Sequence, residues 1–506
     1  MALEPVFEKE VLAGFKRLCV KQTVVEARLL SASEATIAKV LAVAADCQVN
    51  LGEVFAGEAR YSGRVGFKAI FVDSEGKNGC MDYSADFTDK LLDEKIRAGS
   101  KPMISAHVLD TDIVEVTAAS LMLACVVETA LDAVTEEEVS ALTAGGEGIY
   151  THDVRTEFSR LVGETSASFT VQDEIKDLKA GKVLLSEAKA VLSKRSVLGE
   201  RVALEGEVHC TLTCEDAEGM IFQVQKATQF FEEIGLAGAR EGQFAVAALC
   251  LNSHSVTIET DGEKSAALLE FNLSAYIKCF GDDVFHPVVD AFSVSNELKT
   301  DRTAVEIFKG KFSGTATERV EGSVTLDINM PIADTVLAVT GSKLNIASAA
   351  AGADAINLDG TASASIIYFS AEANVTASVA VELPFSLSVP VVGAVPGDGA
   401  SAKGMVTHWA VKILRGNVLQ IKADIALEVL VSGLETRSVL TGLSIGEARE
   451  LSSAAYSVYI ASPGESLWDV SKALGITPEI VLTQNPGLVL PLSGGERVLG
   501  YRQVRR

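Results

Sequence analysis

The chain has 506 residues, 68 Asp plus Glu against 44 Lys plus Arg, and a formal net charge of -24. At roughly 150 residues per domain, that length predicts about three domains, and a hydrophobic share of 48% with 22% charged residues excludes bulk disorder. The acidic balance argues against nucleic acid, or a broad anionic membrane surface, as the main partner, since either needs a clustered cationic face.

The opening segment, MALEPVFEKEVLAGFKRL, carries Glu4 and Glu8 and lacks an apolar core, so no secretory leader is expected. The charge-free stretch from Val116 to Val127 is too short to span a bilayer, and the uncharged run Leu383–Gly397 contains three prolines. A protein kept in a reducing cytoplasm is therefore expected. The eight cysteines form no CxxC and no zinc-spaced cluster with histidine. Cys210 and Cys214 alternate within GEVHCTLTC and are expected on one face of a strand, as small buried hydrophobes.

Three segments share a pattern. Tyr61–Val65 (YSGRV), Leu204–Val208 (LEGEV) and Leu358–Ala362 (LDGTA) each lead into an alternating, β-branched and aromatic run. Their glycines are 143 residues (63 to 206) and 154 residues (206 to 360) apart. Val40-Leu41, Val183-Leu184 and Val336-Leu337 keep the same offset, 23 or 24 positions before each glycine. Downstream of each glycine comes a phenylalanine-centred segment (ADFTDKL, TQFFEEI, LPFSLSV) and then a pair of long strands, with Asp261-Gly262 marking a hairpin in the middle unit. A period near 150 residues indicates tandem domains rather than a solenoid. The expected class is mainly β, with units over 1–134, 148–293 and 294–446. Linkers are expected at Thr135–Gly146, through the acidic Glu136-Glu137-Glu138, and at Val294–Arg302. A loop is expected at Val395–Gly399, and a short helix at Thr228–Ile234.

Residues 455–501 break the pattern and predict a small α+β module in the order β-α-α-β. Tyr456–Ile460 alternates as a strand, and Pro463-Gly464-Glu465 makes a turn. Ser466 caps a helix with Asp469 in capping-box position, and Gly475 ends it. Thr477-Pro478 opens a second helix, Asn485-Pro486-Gly487 closes it, and Glu496–Leu499 returns as a strand. This segment resembles a LysM domain: Gly464-Glu465-Ser466-Leu467-Trp468 stands where that family has GDTLW, and Asn485 and Gly495 occupy its asparagine and glycine. The resemblance implies a groove between the loops Pro463–Leu467 and Asn485–Leu492, with Pro463, Gly464, Glu465, Ser466, Leu467, Trp468, Asn485, Pro486 and Leu488 as its contact residues.

Three divergent β units and one closing LysM resemble the SipL-type spore-coat morphogenetic proteins, whose repeats are SPOCS domains. The resemblance implies a non-enzymatic adaptor in the mother-cell cytoplasm at the forespore surface. There it would join the coat and other coat proteins to the basal scaffold ATPase, stage IV sporulation protein A, through the LysM module. The competing expectation is binding of peptidoglycan, the usual N-acetylglucosamine ligand of LysM domains. No cofactor, metal or catalytic residue is expected: the sequence has no phosphate loop, no HExxH and no GxSxG elbow. Asp282-Asp283 before His286-Pro287 reads as a solvated turn, and Arg497, Arg502, Arg505 and Arg506 form a local cationic stretch that reads either as a dock for an acidic partner or as a solvated tail.

Overall fold

The computed structural model describes residues 4–30, 36–261, 264–415, 417–449 and 455–501, and it is mainly β. Its first six strands are β1 (Val6–Leu30), β2 (Ile37–Phe55), β3 (Glu58–Asp73), β4 (Asn78–Leu92), β5 (Met103–Val116) and β6 (Ser120–Ala144). They form two three-stranded antiparallel sheets, in the orders β1-β6-β5 and β2-β3-β4. After the short β7 (Ile149–Asp153), the same order recurs. β8 (Thr156–Ile175), β12 (Phe244–Asp261) and β13 (Lys264–Phe285) make one sheet, with β13 central. β9 (Lys182–Leu198), β10 (Arg201–Glu215) and β11 (Ile221–Gly235) make the other. Beyond β14 (Val288–Ser293), it recurs again. β15 (Asn296–Thr325), β20 (Val418–Ala448) and β19 (Gly399–Ile413) form one sheet, and β16 (Thr335–Ala351), β17 (Ala355–Ser370) and β18 (Val375–Pro390) the other. β7 and β14 pair with each other as a ribbon.

Each unit buries its core between its two sheets because the strands alternate. In β3, Val65, Phe67, Ala69 and Phe71 point inward, towards Leu121, Leu123, Cys125 and Val127 of β6. The second unit opposes Leu204, Val208 and Leu212 to Leu269, Phe271 and Leu273, and the third opposes Leu358 and Ile366 to Leu419, Ile421 and Ile425. Burying one such side chain fully contributes about 1.5–3 kcal/mol. Cys210 and Cys214 belong to the second core, where burial pushes their thiols up to about 12 and about 11.

The glycine landmarks and the phenylalanine segments are two halves of one device. Gly63 pairs across the sheet with Phe87, Gly206 with Phe230 and Gly360 with Phe385. Each ring lies over its glycine, so a Cβ would come within 2.3, 2.4 and 2.5 Å of the ring's Cζ. At Gly206 and Gly360 the added carbon would also meet a neighbouring strand's carbonyl oxygen, at 2.5 Å (Val191) and 2.3 Å (Asn345). An aromatic covering a strand glycine shields the backbone that the glycine leaves bare.

The units close on one another through shared clusters. Leu41, Ala42, Ala44 and Ile70 meet Leu184, Leu185 and Ile221 of the second unit and Ala338 and Ile367 of the third. Phe15, Phe280 and Phe308, one from each unit, share a second cluster. Beside the first lies a polar ring. Lys68 donates to the Ser186 carbonyl at 2.5 Å, Lys189 donates to the Ser342 carbonyl, and Lys343 pairs with Asp110 at 3.0 Å. The ring thus passes from unit one to two, two to three, and three to one. Glu187 accepts from the Gly341 amide at 3.1 Å, and burial pushes its carboxyl up and the Lys189 ammonium down. Asp46, Lys189 and Ser342 occupy corresponding places, six residues after Val40, Val183 and Val336.

Several sequence expectations change. The acidic Glu136–Glu138 is no linker; it continues β6, opposite Ala13, Leu12 and Val11. Antiparallel pairing with the distant β1 satisfies its backbone, and Lys9 and Arg97 pair with Glu138 and Glu136. Most of Val294–Arg302 likewise opens β15, with Arg302 opposite Leu440. Thr228–Ile234 is strand, not helix: Thr228, Phe230 and Ile234 are buried at even spacing, and pairing along β10 overrides local propensity. Asp282-Asp283 ends β13 rather than forming a turn, and Asp283 pairs with Arg160 at 3.0 Å. The Val395–Gly399 segment connects β18 to β19 as a loop, with Gly399 opening the strand. Gly262 of the expected hairpin lies outside the described residues. No helix of the described residues is long and apolar enough to cross a membrane.

Candidate functional site

The closing segment contains β21 (Tyr456–Ile460), α1 (Leu467–Leu474), α2 (Pro478–Gln484) and β22 (Arg497–Tyr501), with β21 and β22 antiparallel. Local chemistry sets its boundaries. The Ser466 side chain accepts from the Asp469 amide, while the Asp469 carboxylate accepts from the Ser466 amide at 2.8 Å. The Asp469 carboxyl is held below its usual range first by the Ser466 hydroxyl, which donates to Oδ2 at 2.7 Å, and then by the Ser466 amide. Gly475 closes α1 in the left-handed conformation, at φ 62°. Thr477 caps α2 through its side chain, with Pro478 at the first helical position. Val470, Leu474, Ile476, Val481 and Val498 make the small core, with Leu467 packed against it.

The nine residues singled out in the sequence have different placements. Glu465 accepts from the Tyr459 hydroxyl and the Ser462 amide, both at 2.7 Å, and so pins the first loop. Gly464 turns that loop at φ +85°, and Pro463 lies against Gly494, bringing the two loops together. Asn485 is consumed by structure: its Nδ2 donates to the carbonyls of Val481 and Leu499, and its Oδ1 accepts from the Leu499 amide at 2.8 Å. Gln484 does the same for Tyr501, accepting from its amide at 2.7 Å and donating to its carbonyl at 2.8 Å. Pro486 is exposed and Leu488 half-buried. Beside the second loop, Asn485, Leu488, Val489, Pro491 and Arg497 border an open hollow of about 520 Å³.

Trp468 does not line that hollow. Its ring stacks on His152 of β7 at 5.2 Å and 29°, and meets Phe292 of β14 edge-on at 5.0 Å. Its Nε1 donates to Asp290 Oδ2 at 2.9 Å. Lys472, one helical turn on, donates to both Asp290 oxygens, at 2.8 and 2.7 Å, and Arg302 reaches the same carboxylate at 2.9 Å. Burial opposes ionisation of Asp290, but the hydrogen bonds from Lys472 and Trp468 outweigh it and hold the carboxyl below its usual range. The expected groove residue is thus the module's anchor on the β7–β14 ribbon. Asp290, His152, Phe292 and Lys472 carry no local sequence signal, because 138 residues separate His152 from Asp290 and only the fold brings them together. Of the cationic stretch, Arg497 is described and exposed; Arg502, Arg505 and Arg506 lie outside the described residues.

Comparison with known proteins finds no matching family model, curated protein or solved structure.

Proposed function

We propose that the chain is a non-enzymatic adaptor of the SipL type in spore-coat assembly. Its closing LysM-like module binds the basal scaffold ATPase, stage IV sporulation protein A, at the forespore surface in the mother-cell cytoplasm, and its three SPOCS-like units offer surfaces to other coat proteins. The observation that carries this reading is a capped βααβ module, bearing the Gly464–Trp468 motif, held on three units of one strand order. Two further features favour a protein over a glycan partner: Trp468 is spent on the ribbon, and the Asn485 amide is spent on β22. Neither is offered to a sugar.

Capture of the full-length protein by the purified basal scaffold protein tests the reading. Loss of capture on deleting 456–506 is the expected result, and undiminished capture by the truncated chain would sink it. The hollow beside Leu488, Val489 and Arg497 keeps peptidoglycan as the second reading. Cosedimentation with peptidoglycan that falls on Leu488→Ala is its signature; a protein that stays in the supernatant eliminates it.

A further inference from the structure

The two-stranded sheet of the closing module has one closed edge and one open edge. On β22, the outward amides of Leu499 and Tyr501 are taken by Asn485 and Gln484, whose side chains stand in for a third strand. On β21, the Ala461 amide bonds inward to Glu496, so alternation turns Tyr459 and Ser457 inward and Val458 and Ile460 outward. Among the described residues, nothing takes the outward N–H and C=O groups of Val458 and Ile460. The strand reads Tyr-Ser-Val-Tyr-Ile, without the lysine, proline or bulge that ordinarily guards an edge. Its side chains on the sheet face away from the helices are open too: Tyr456, Val458 and Ile460 are 65%, 63% and 63% exposed. Arg497, opposite Ile460, is exposed and has no carboxylate within ion-pair distance among the described residues, in a chain of net charge -24.

We propose that β21 is a strand-addition site for an extended segment of a partner protein, with apolar residues at alternate positions and a carboxylate facing Arg497. The occupant is a peptide strand rather than a second copy. Five edge residues bury far less than the roughly 1,200 Å² that stable association of two folded chains requires, whereas main-chain pairing with alternate side chains suits a short strand. The cationic flank selects an acidic segment, and the chain's overall charge repels another copy of itself. This rests on reading the closing module as a protein-binding element.

The test uses the full-length chain and labelled peptides of alternating valine and threonine ending in aspartate or in lysine. The aspartate peptide binds more tightly, and hydrogen exchange slows at the Val458 and Ile460 amides while Tyr459, already paired, is unchanged. Val458→Pro removes an outward N–H without touching the β21–β22 ladder and weakens binding about tenfold. Arg497→Glu abolishes the preference for aspartate ends. No binding of either peptide, or equal binding by Val458→Pro, overturns the proposal. Capture of the basal scaffold protein and peptide binding that both survive Val458→Pro overturn it while leaving the adaptor reading standing. Edge binding without that capture supports the site and removes the adaptor reading.

Discussion

The six-stranded units and the closing module draw their order from opposite ends of the sequence-separation scale. In a unit the first strand pairs with the sixth: Val25 lies opposite Cys125, and Thr315 opposite Glu428. The device that defines the inner sheet joins a glycine to an aromatic on the next strand. In the module, Ser466 meets Asp469 three residues away, and Asn485 reaches the Leu499 backbone fourteen residues on. Long-range pairing makes a unit fail as a whole, whereas a local cap makes the module fail piece by piece.

The largest expected effect falls on the units. Gly360→Ala drives a carbon into both a ring and the Asn345 carbonyl and is expected to destabilise by about 3 kcal/mol in denaturant unfolding. Gly63→Ala meets only side-chain ring atoms and is expected to cost about 1 kcal/mol. Equal effects would show that the ring, not the carbonyl, sets the penalty. Trp468→Ala comes next, at about 2 kcal/mol. It releases the module from the ribbon, visible as an increased radius of gyration in solution scattering while the main unfolding transition of the units stays put. Ser466→Ala removes one cap and is expected to cost about 1 kcal/mol. Its effect is confined to faster exchange of the first α1 amides. The smallest effect is acid release of the anchor. The Asp290 carboxyl is depressed in the folded chain, so its contribution is complete above the unfolded value near pH 3.9 and disappears as the pH falls through the folded value. In a Trp409→Phe background, Trp468 fluorescence should hold steady down to about pH 4 and shift only below it; a shift near neutrality would exclude Asp290 as the controlling group.

The same contrast explains what could be read in advance. The mainly β class was visible in alternating runs, and the caps at Ser466 and Thr477 in residue types with fixed local geometry. The strand character of Glu136–Glu138 and Thr228–Ile234 was hidden, because acidic and mixed segments become strands only where a distant partner supplies the ladder. Trp468 could be picked out as important, but not where it points. Its direction depends on His152, Phe292 and Asp290, which belong to a ribbon whose two strands lie on either side of an entire unit.

The lysine ring gives the molecule a sense of rotation. Each lysine reaches forward to the following unit, and the last returns to the first. Because Asp46, Lys189 and Ser342 differ at matching places, a unit moved out of turn would bring a different side chain to this seam. The chain has the plan of a three-subunit assembly written as one polypeptide, yet its positions are no longer interchangeable. Each unit carries an address, and a variant with its units shuffled is expected to keep its sheets but lose the forward lysine contacts between units.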